Sequence, residues 1–273
     1  MLPASSPSVS RLPSTSGFVA HGATRTTVSG IFVMLAVLSV FAAVLVVFVA
    51  QASAFTKIET GFRRTALPDS LAKYGEVLVE DGLSLTTSTA RFNRVHLRTV
   101  ADDFIWAGSD APVAFTFTLD TFTNTDTRPG TLSLIVVGDE MEGNGHIPLP
   151  DYTPASILGI SLAYNAATGK YDLAFNAKTN APRAGFTGKY FRRAAVNDIA
   201  SVNLGTFGFI ISPDNTVSLI ANGQLHPEVF TLPANIAGHF KKNARVYLVA
   251  TNRDQGQPAS FKISSLSIKK ENA

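Results

Sequence analysis

The sequence contains no cysteine. That excludes disulfides, thiol nucleophiles and thiolate-held metals. It leaves an extracellular location open, because a domain of this size buries enough apolar surface to stand without staples. The five histidines, His21, His96, His146, His226 and His239, show neither H-x-H nor H-E-x-x-H spacing, which disfavours a metalloenzyme. G-x-S-x-G, the P-loop and G-x-G-x-x-G are all missing, so serine-hydrolase, NTPase and dinucleotide-binding readings lack support. No N-x-S/T sequon occurs, so glycosylation gives no clue to topology. Charge is also scarce: 16% of residues are charged and the net charge is +3. Arg11 and Arg25 supply two of those charges, which leaves the rest near neutral and gives no argument for nucleic acid. There is a single tryptophan, and its setting, Phe104-Ile105-Trp106, reads as core in preference to a sugar-stacking platform.

What the sequence does have is one long apolar run. Residues 31–50, IFVMLAVLSVFAAVLVVFVA, carry no charge and a single hydroxyl, Ser39. As a helix, with a rise of about 1.5 Å per residue, the run spans about 30 Å, the thickness of a bilayer's hydrocarbon core. A buried soluble helix would normally keep a polar stripe, and this run has none. Its length favours an uncleaved single-pass anchor over a secretory signal, whose apolar core is about 7–15 residues. The flank Ala50-Gln51-Ala52-Ser53-Ala54 nevertheless offers A-x-A-like cleavage sites, and with cleavage the mature protein would be secreted. Lys57, Arg63, Arg64 and Lys73 outnumber the tail's two arginines, and that count favours a cytoplasmic C-terminal domain. The small tail, the signal-like flank and the β-rich remainder favour the reverse, tail inside and domain outside, which is the orientation adopted.

The run divides the chain. Residues 1–30, rich in Ser, Thr, Pro, Gly and Ala, read as a disordered tail, and residues 51–75 as a juxtamembrane linker, part of it a short helix interrupted at Leu67-Pro68. Residues 76–270 read as one β-domain, built from short alternating segments separated by turn residues. Val113–Phe122 sets Val113, Phe115, Phe117 and Leu119 against Ala114, Thr116, Thr118 and Asp120, a half-buried strand. Thr131–Gly138 reads as its hairpin partner across the turn TNTDTRPG. Further strands are expected at 76–80, 91–100, 157–165, 170–175, 204–211, 217–221, 224–232, 245–251 and 260–268, with 176–203 basic and irregular. No helix longer than about ten residues is expected after the apolar run.

The C-terminal third carries a resemblance. Val217-Ser218-Leu219-Ile220-Ala221-Asn222-Gly223, then RVYLVATNRD, then Phe261-Lys262-Ile263-Ser264-Ser265-Leu266-Ser267-Ile268, resemble the closing strands of the concanavalin A-like or laminin-G-like jelly-roll group. The resemblance covers about 65 residues well and the preceding 100 loosely. It implies an all-β, two-sheet antiparallel jelly-roll sandwich. It also implies that the strand ending at Asn222-Gly223 is followed by a strand of the opposite sheet. Lectins, adhesion modules, hydrolases and structural domains share that fold, so it implies no single function.

Three candidate sites follow. Asp139, Glu140, Glu142 and Asn144 supply oxygen atoms suited to Ca²⁺, the ion that lectin-like jelly rolls often place beside their ligand, although the spacing matches no defined calcium loop and also suits a solvated loop. Glu140 and Glu142 also resemble part of the E-x-D-x-E strand of jelly-roll glycosidases, but Asp139 falls off that register and Gly143-Asn144-Gly145 breaks the strand, so no catalytic residue is assigned. Arg183, Lys189, Tyr190 and Arg192 form a basic-aromatic segment that suits an anionic glycan, a lipid head group or a protein partner, and equally a solvated loop face. The expectation is a membrane-anchored recognition module that binds a glycan or a protein without turnover, in contact with the bilayer through residues 31–50. The alternatives are a structural subunit of a virion or surface coat and a secreted glycan hydrolase.

Overall fold

The computed structural model describes residues 55–63, 66–90, 93–106, 109–124, 130–138, 156–165, 170–178, 190–199, 205–240, 243–252 and 258–271. Contacts divide the chain at Ala52–Ser53, and every described residue belongs to the second unit. Among the described residues no helix is long and apolar enough to cross a membrane. Residues 31–50 lie outside them, as do the tail and the cleavage-site flank.

The described unit is an all-β sandwich of two antiparallel sheets. The strands are β1 (Ile58–Gly61), β2 (Leu71–Tyr74), β3 (Val77–Val79), β4 (Leu83–Thr86), β5 (Arg94–Thr99), β6 (Val113–Asn124), β7 (Thr131–Val137), β8 (Ile157–Asn165), β9 (Lys170–Lys178), β10 (Tyr190–Ile199), β11 (Thr206–Ile211), β12 (Thr216–Ala221), β13 (Gln224–Thr231), β14 (Arg245–Thr251) and β15 (Ala259–Lys270). A four-residue helix α1 (Ala234–Ala237) and a 3₁₀ turn at Gly238–Phe240 lie between β13 and β14. Sheet A runs β13-β12-β11-β6-β15-β4-β3, with β1 also on β15, and sheet B runs β10-β9-β8-β7-β14-β5-β2.

Alternation explains which residues meet inside. Phe115 and Phe117 on β6, Phe209 on β11 and Phe261 on β15 turn into the sandwich and are fully or almost fully buried. From sheet B they meet Leu132, Leu134 and Val136 on β7, Phe175 on β9 and Leu248 on β14. Phe209 joins the layers: it stacks on Phe115 at 4.9 Å and takes Phe175 edge-on at 5.6 Å. Trp106 is wholly buried, as its neighbours in sequence suggest, and its Nε1–H donates to Asn215 Oδ1 at 3.0 Å. At the end of sheet A the turn Asn222-Gly223 has φ of 53° and 76°, both left-handed, the geometry that joins β12 to β13 tightly. Pro227 lies in β13, an edge strand, where a missing N–H removes no ladder bond on the solvent side.

Four expectations are corrected. Ile58–Gly61 and Leu71–Tyr74, assigned above to a juxtamembrane linker with some helix, are strands of the sandwich: β1 pairs β15 and β2 pairs β5. They are short, and a four-residue segment shows too little alternation to be read as a strand. Second, β6 and β7 do not form a hairpin but lie in opposite sheets. β6 is paired by β15 along its length and by β11 over Val113–Thr118, whereas β7, buried from Leu132 through Val137, pairs β8 and β14. Third, the strand after Asn222-Gly223 stays in sheet A and does not enter the opposite sheet. Fourth, the segment 176–203 is not irregular throughout: β9 runs on to Lys178, and Tyr190–Ile199 forms β10 against it.

Candidate functional site

Register places the outer face of sheet B residue by residue, because directly paired residues share a face. One row across the sheet reads Ile157, Val137, Arg245. The next reads Asn176, Gly159, Ile135, Tyr247, Arg98. A third reads Ala174, Ser161, Ser133, Val249, His96, Tyr74. The centre of this face is apolar: Ile135, Val137, Ile157, Tyr247 and Val249 form a second buried cluster, distinct from the interior core. Beside it runs an aromatic strip, with Tyr74 stacked on His96 at 5.1 Å and His96 tilted against Tyr247 at 5.6 Å.

At the first row the face ends in a cavity of about 210 Å³ lined by Asp102, Val137, Gly138, Asn243, Arg245 and Tyr247. That is below the range of about 300–1,000 Å³ for drug-sized ligands and suits one polar ring. Its walls are held by backbone. Thr99, fully buried at the end of β5, donates through Oγ1 to Ala101 O at 2.8 Å and accepts from Val246 N at 3.1 Å. Ala244 N donates to Asp102 O at 2.7 Å and Phe104 N to Ala244 O at 3.2 Å, strapping 102–104 to the chain just before β14. Gly138 N donates to Ser156 O at 2.9 Å, fixing the end of β7 beside β8.

Of the lining residues Asp102 and Arg245 are partly exposed and Tyr247 is buried. Arg245 Nη2 lies 3.5 Å from Asp102 Oδ2, and the two side chains are 38% and 48% exposed. This is a loose pair, longer than the 2.7–2.9 Å of a charge-assisted hydrogen bond. Arg245 Nε is buried without a hydrogen-bond partner. Burial pushes the Tyr247 phenol above its ordinary value, and the charges of Arg98 and Arg245 offset part of that rise. Both guanidinium groups therefore act on the same phenol.

Of the predicted site residues, Tyr190 and Arg192 lie in β10, in register with Lys178 and Asn176 of β9. Arg183 and Lys189 lie outside the described residues, as do Asp139, Glu140, Glu142 and Asn144. Among the described residues no group of three His, Cys, Asp or Glu side chains could hold a metal ion. Sequence reasoning missed Asp102, Asn243, Arg245 and Tyr247. The available signal was the alternation in RVYLVAT, which puts Arg245, Tyr247 and Val249 on one face; nothing local links them to Asp102, more than a hundred residues earlier.

With the sheets and the cavity in view, solved structures supply the comparison. The fold is the concanavalin A-like jelly roll. A legume lectin-like domain from Entamoeba histolytica matches with a TM-score of 0.55 and 11% identity, over 78% of this chain and 97% of that one. The carbohydrate recognition domain of Emp47p matches with a TM-score of 0.54 and 12% identity, over 78% and 94%. A glycoside hydrolase family 16 endo-glucanase from Bacteroides ovatus matches with a TM-score of 0.52 and 11% identity, over 78% and 99%. No protein-family profile and no curated protein matches the sequence. Identities this low establish the jelly roll and leave its activity to be argued from the site.

Proposed function

We propose that this jelly roll is a membrane-anchored recognition module that binds a glycan without turning it over. The observation that carries the reading is the cavity at the end of sheet B, whose lining includes the carboxylate of Asp102, the amide of Asn243, the guanidinium of Arg245 and Tyr247. Such a site offers acceptors and donors for sugar hydroxyls and an apolar base for a ring face. Lectin and carbohydrate-recognition domains among the similar folds support the same reading. Retaining glycosidases place two carboxyl groups about 5–5.5 Å apart. Among the side chains described on this face the carboxylates are Asp102 at the mouth and Asp172 on β9, three strands away from Arg245. Residues 31–50 supply the anchor in this reading, with the tail inside and the jelly roll outside.

Thermal unfolding of the full chain in nanodiscs against a panel of monosaccharides and short glycans tests it. A ligand selective for the native state at a hundredfold excess over its Kd adds about 2.7 kcal/mol, so at least one sugar raises Tm by several degrees. Silence across the panel, together with an assembly burying more than about 1,000 Å² per contact, would replace recognition by a structural-subunit role. Glycan hydrolysis that disappears in Glu140→Gln or Glu142→Gln would replace it by catalysis. Intact mass of the protein from its native membrane checks the anchor: a start near Ser53 would make residues 31–50 a cleaved signal.

A further inference from the structure

We infer that the cavity at the end of sheet B selects an acidic sugar, a hexuronate-type ring whose carboxylate lies on Arg245 and whose hydroxyls face Asp102 and Asn243. This rests on the glycan-recognition reading above and adds the chemical class of the ligand.

The first ground is the state of Arg245. It lines the cavity, its only ion pair among the described residues is the loose contact with Asp102 at 3.5 Å, and its Nε is buried with no acceptor. A guanidinium presents a planar fork of N–H donors, and a carboxylate that takes two of them makes a closer pair than the 3.5 Å contact with Asp102. The second ground is the local field. Arg98 is registered directly beside Tyr247, which is registered beside Ile135 in the row below Val137 and Arg245. Among the described residues two cations, Arg98 and Arg245, therefore act on the Tyr247 phenol that lines the cavity, against the carboxylate of Asp102. The third ground is Asp102 itself. A carboxylate at the mouth repels a bare inorganic anion as much as Arg245 attracts it, but accepts hydrogen bonds from hydroxyls. The ligand that satisfies all three groups is both hydroxylated and acidic. The cavity's size limits it to about one ring.

The test is calorimetric titration of the full chain in nanodiscs with methyl β-glucuronide, methyl β-glucoside and sodium sulfate. Glucuronide is expected to bind at least about tenfold more tightly than glucoside, the difference made by one charge-assisted pair, and sulfate more weakly than either. Arg245→Gln removes that preference, bringing glucuronide affinity down to that of glucoside in the same variant; Arg245→Lys, which keeps the charge and loses the fork, retains part of it. Arg98→Gln, acting through the field, lowers glucuronide affinity by about two- to threefold. Equal affinities for glucuronide and glucoside, or an unchanged preference in a folded Arg245→Gln, overturn the acidic-sugar inference and leave glycan recognition standing. Sulfate binding as tight as glucuronide overturns the hydroxyl part. Failure of every sugar on the panel overturns both readings.

Discussion

The two outer faces of the sandwich are built on opposite plans. On sheet A the outward positions are hydroxyls that bond one another across strands. Thr118 Oγ1 lies 3.0 Å from Thr206 Oγ1 and accepts from Ser265 Oγ at 2.9 Å; Thr86 and Ser260 pair at 2.9 Å. These residues are half-buried and lie beside lysines such as Lys262 and Lys269. On sheet B the corresponding central positions are Ile135, Val137, Ile157, Tyr247 and Val249, each no more than 3% exposed. A sheet with one wet face shows clean alternation in sequence; a sheet buried on both faces reads as a continuous apolar run. The difference is one of degree: sheet B carries an apolar centre with polar residues such as Ser133 and Ser161 beside it, paired at 2.9 Å, while the polar residues of sheet A form ladders along its strands.

Both faces place a glycine at a point where a side chain cannot fit, and these positions break the comparison most severely. A Cβ on Gly159, at the centre of sheet B, would stand 2.1 Å from Leu134 O, and its φ of +151° suits glycine alone. A Cβ on Gly208 in sheet A would stand 2.2 Å from Phe115 O, but with no positive φ. Gly159→Ala is expected to cost at least about 3 kcal/mol, strain and clash together, and Gly208→Ala about 2 kcal/mol from the clash alone. Urea midpoints order the two; equal midpoints would show that the backbone angle at Gly159 contributes nothing.

A milder pair of changes exchanges the chemistry of the faces. Ile135→Thr, which removes a buried methyl group and leaves a hydroxyl in an apolar cluster, is expected to cost about 2 kcal/mol. Thr118→Val removes a hydroxyl from a half-exposed ladder and should cost under about 1 kcal/mol. If the two variants unfold at the same urea concentration, the outer face of sheet B is not held by its apolar cluster.

These contrasts also explain what could be read from sequence. Val113–Phe122 and Phe261–Ile268 alternate, so β6 and β15 and the faces they bury were legible residue by residue. TLSLIVV was legible as a strand but not as a member of the other sheet, because apolar residues on both faces carry no sign of which layer they join. β1 and β2 were hidden by brevity: their register is set by β15 and β5, not by a pattern of their own. The cavity was illegible for a different reason. Asp102, Asn243 and Arg245 are ordinary surface residues until β14 lies between β5 and β7, and only that pairing brings them together.

The smallest expected effect concerns Tyr247, which belongs both to the buried cluster and to the cavity. Its phenol is neutral and buried, so its folded pKa lies above the ordinary value of 10.0. In the unfolded chain the phenol ionises near that ordinary value; in the folded chain it ionises only at higher pH. Below about pH 10 both states keep the proton and the contribution is fully present. Above it the unfolded state loses the proton first, so stability falls as pH rises toward the folded pKa. Tyr247→Phe removes this term and leaves those of the other tyrosines in place. The difference in unfolding free energy between wild type and Tyr247→Phe is therefore expected to be constant from pH 7 to 9 and to shift against the wild type between pH 10 and 11. Parallel curves across that interval would mean that the phenol reaches water in the folded protein, and that the base of the cavity is wetter than the apolar face beside it.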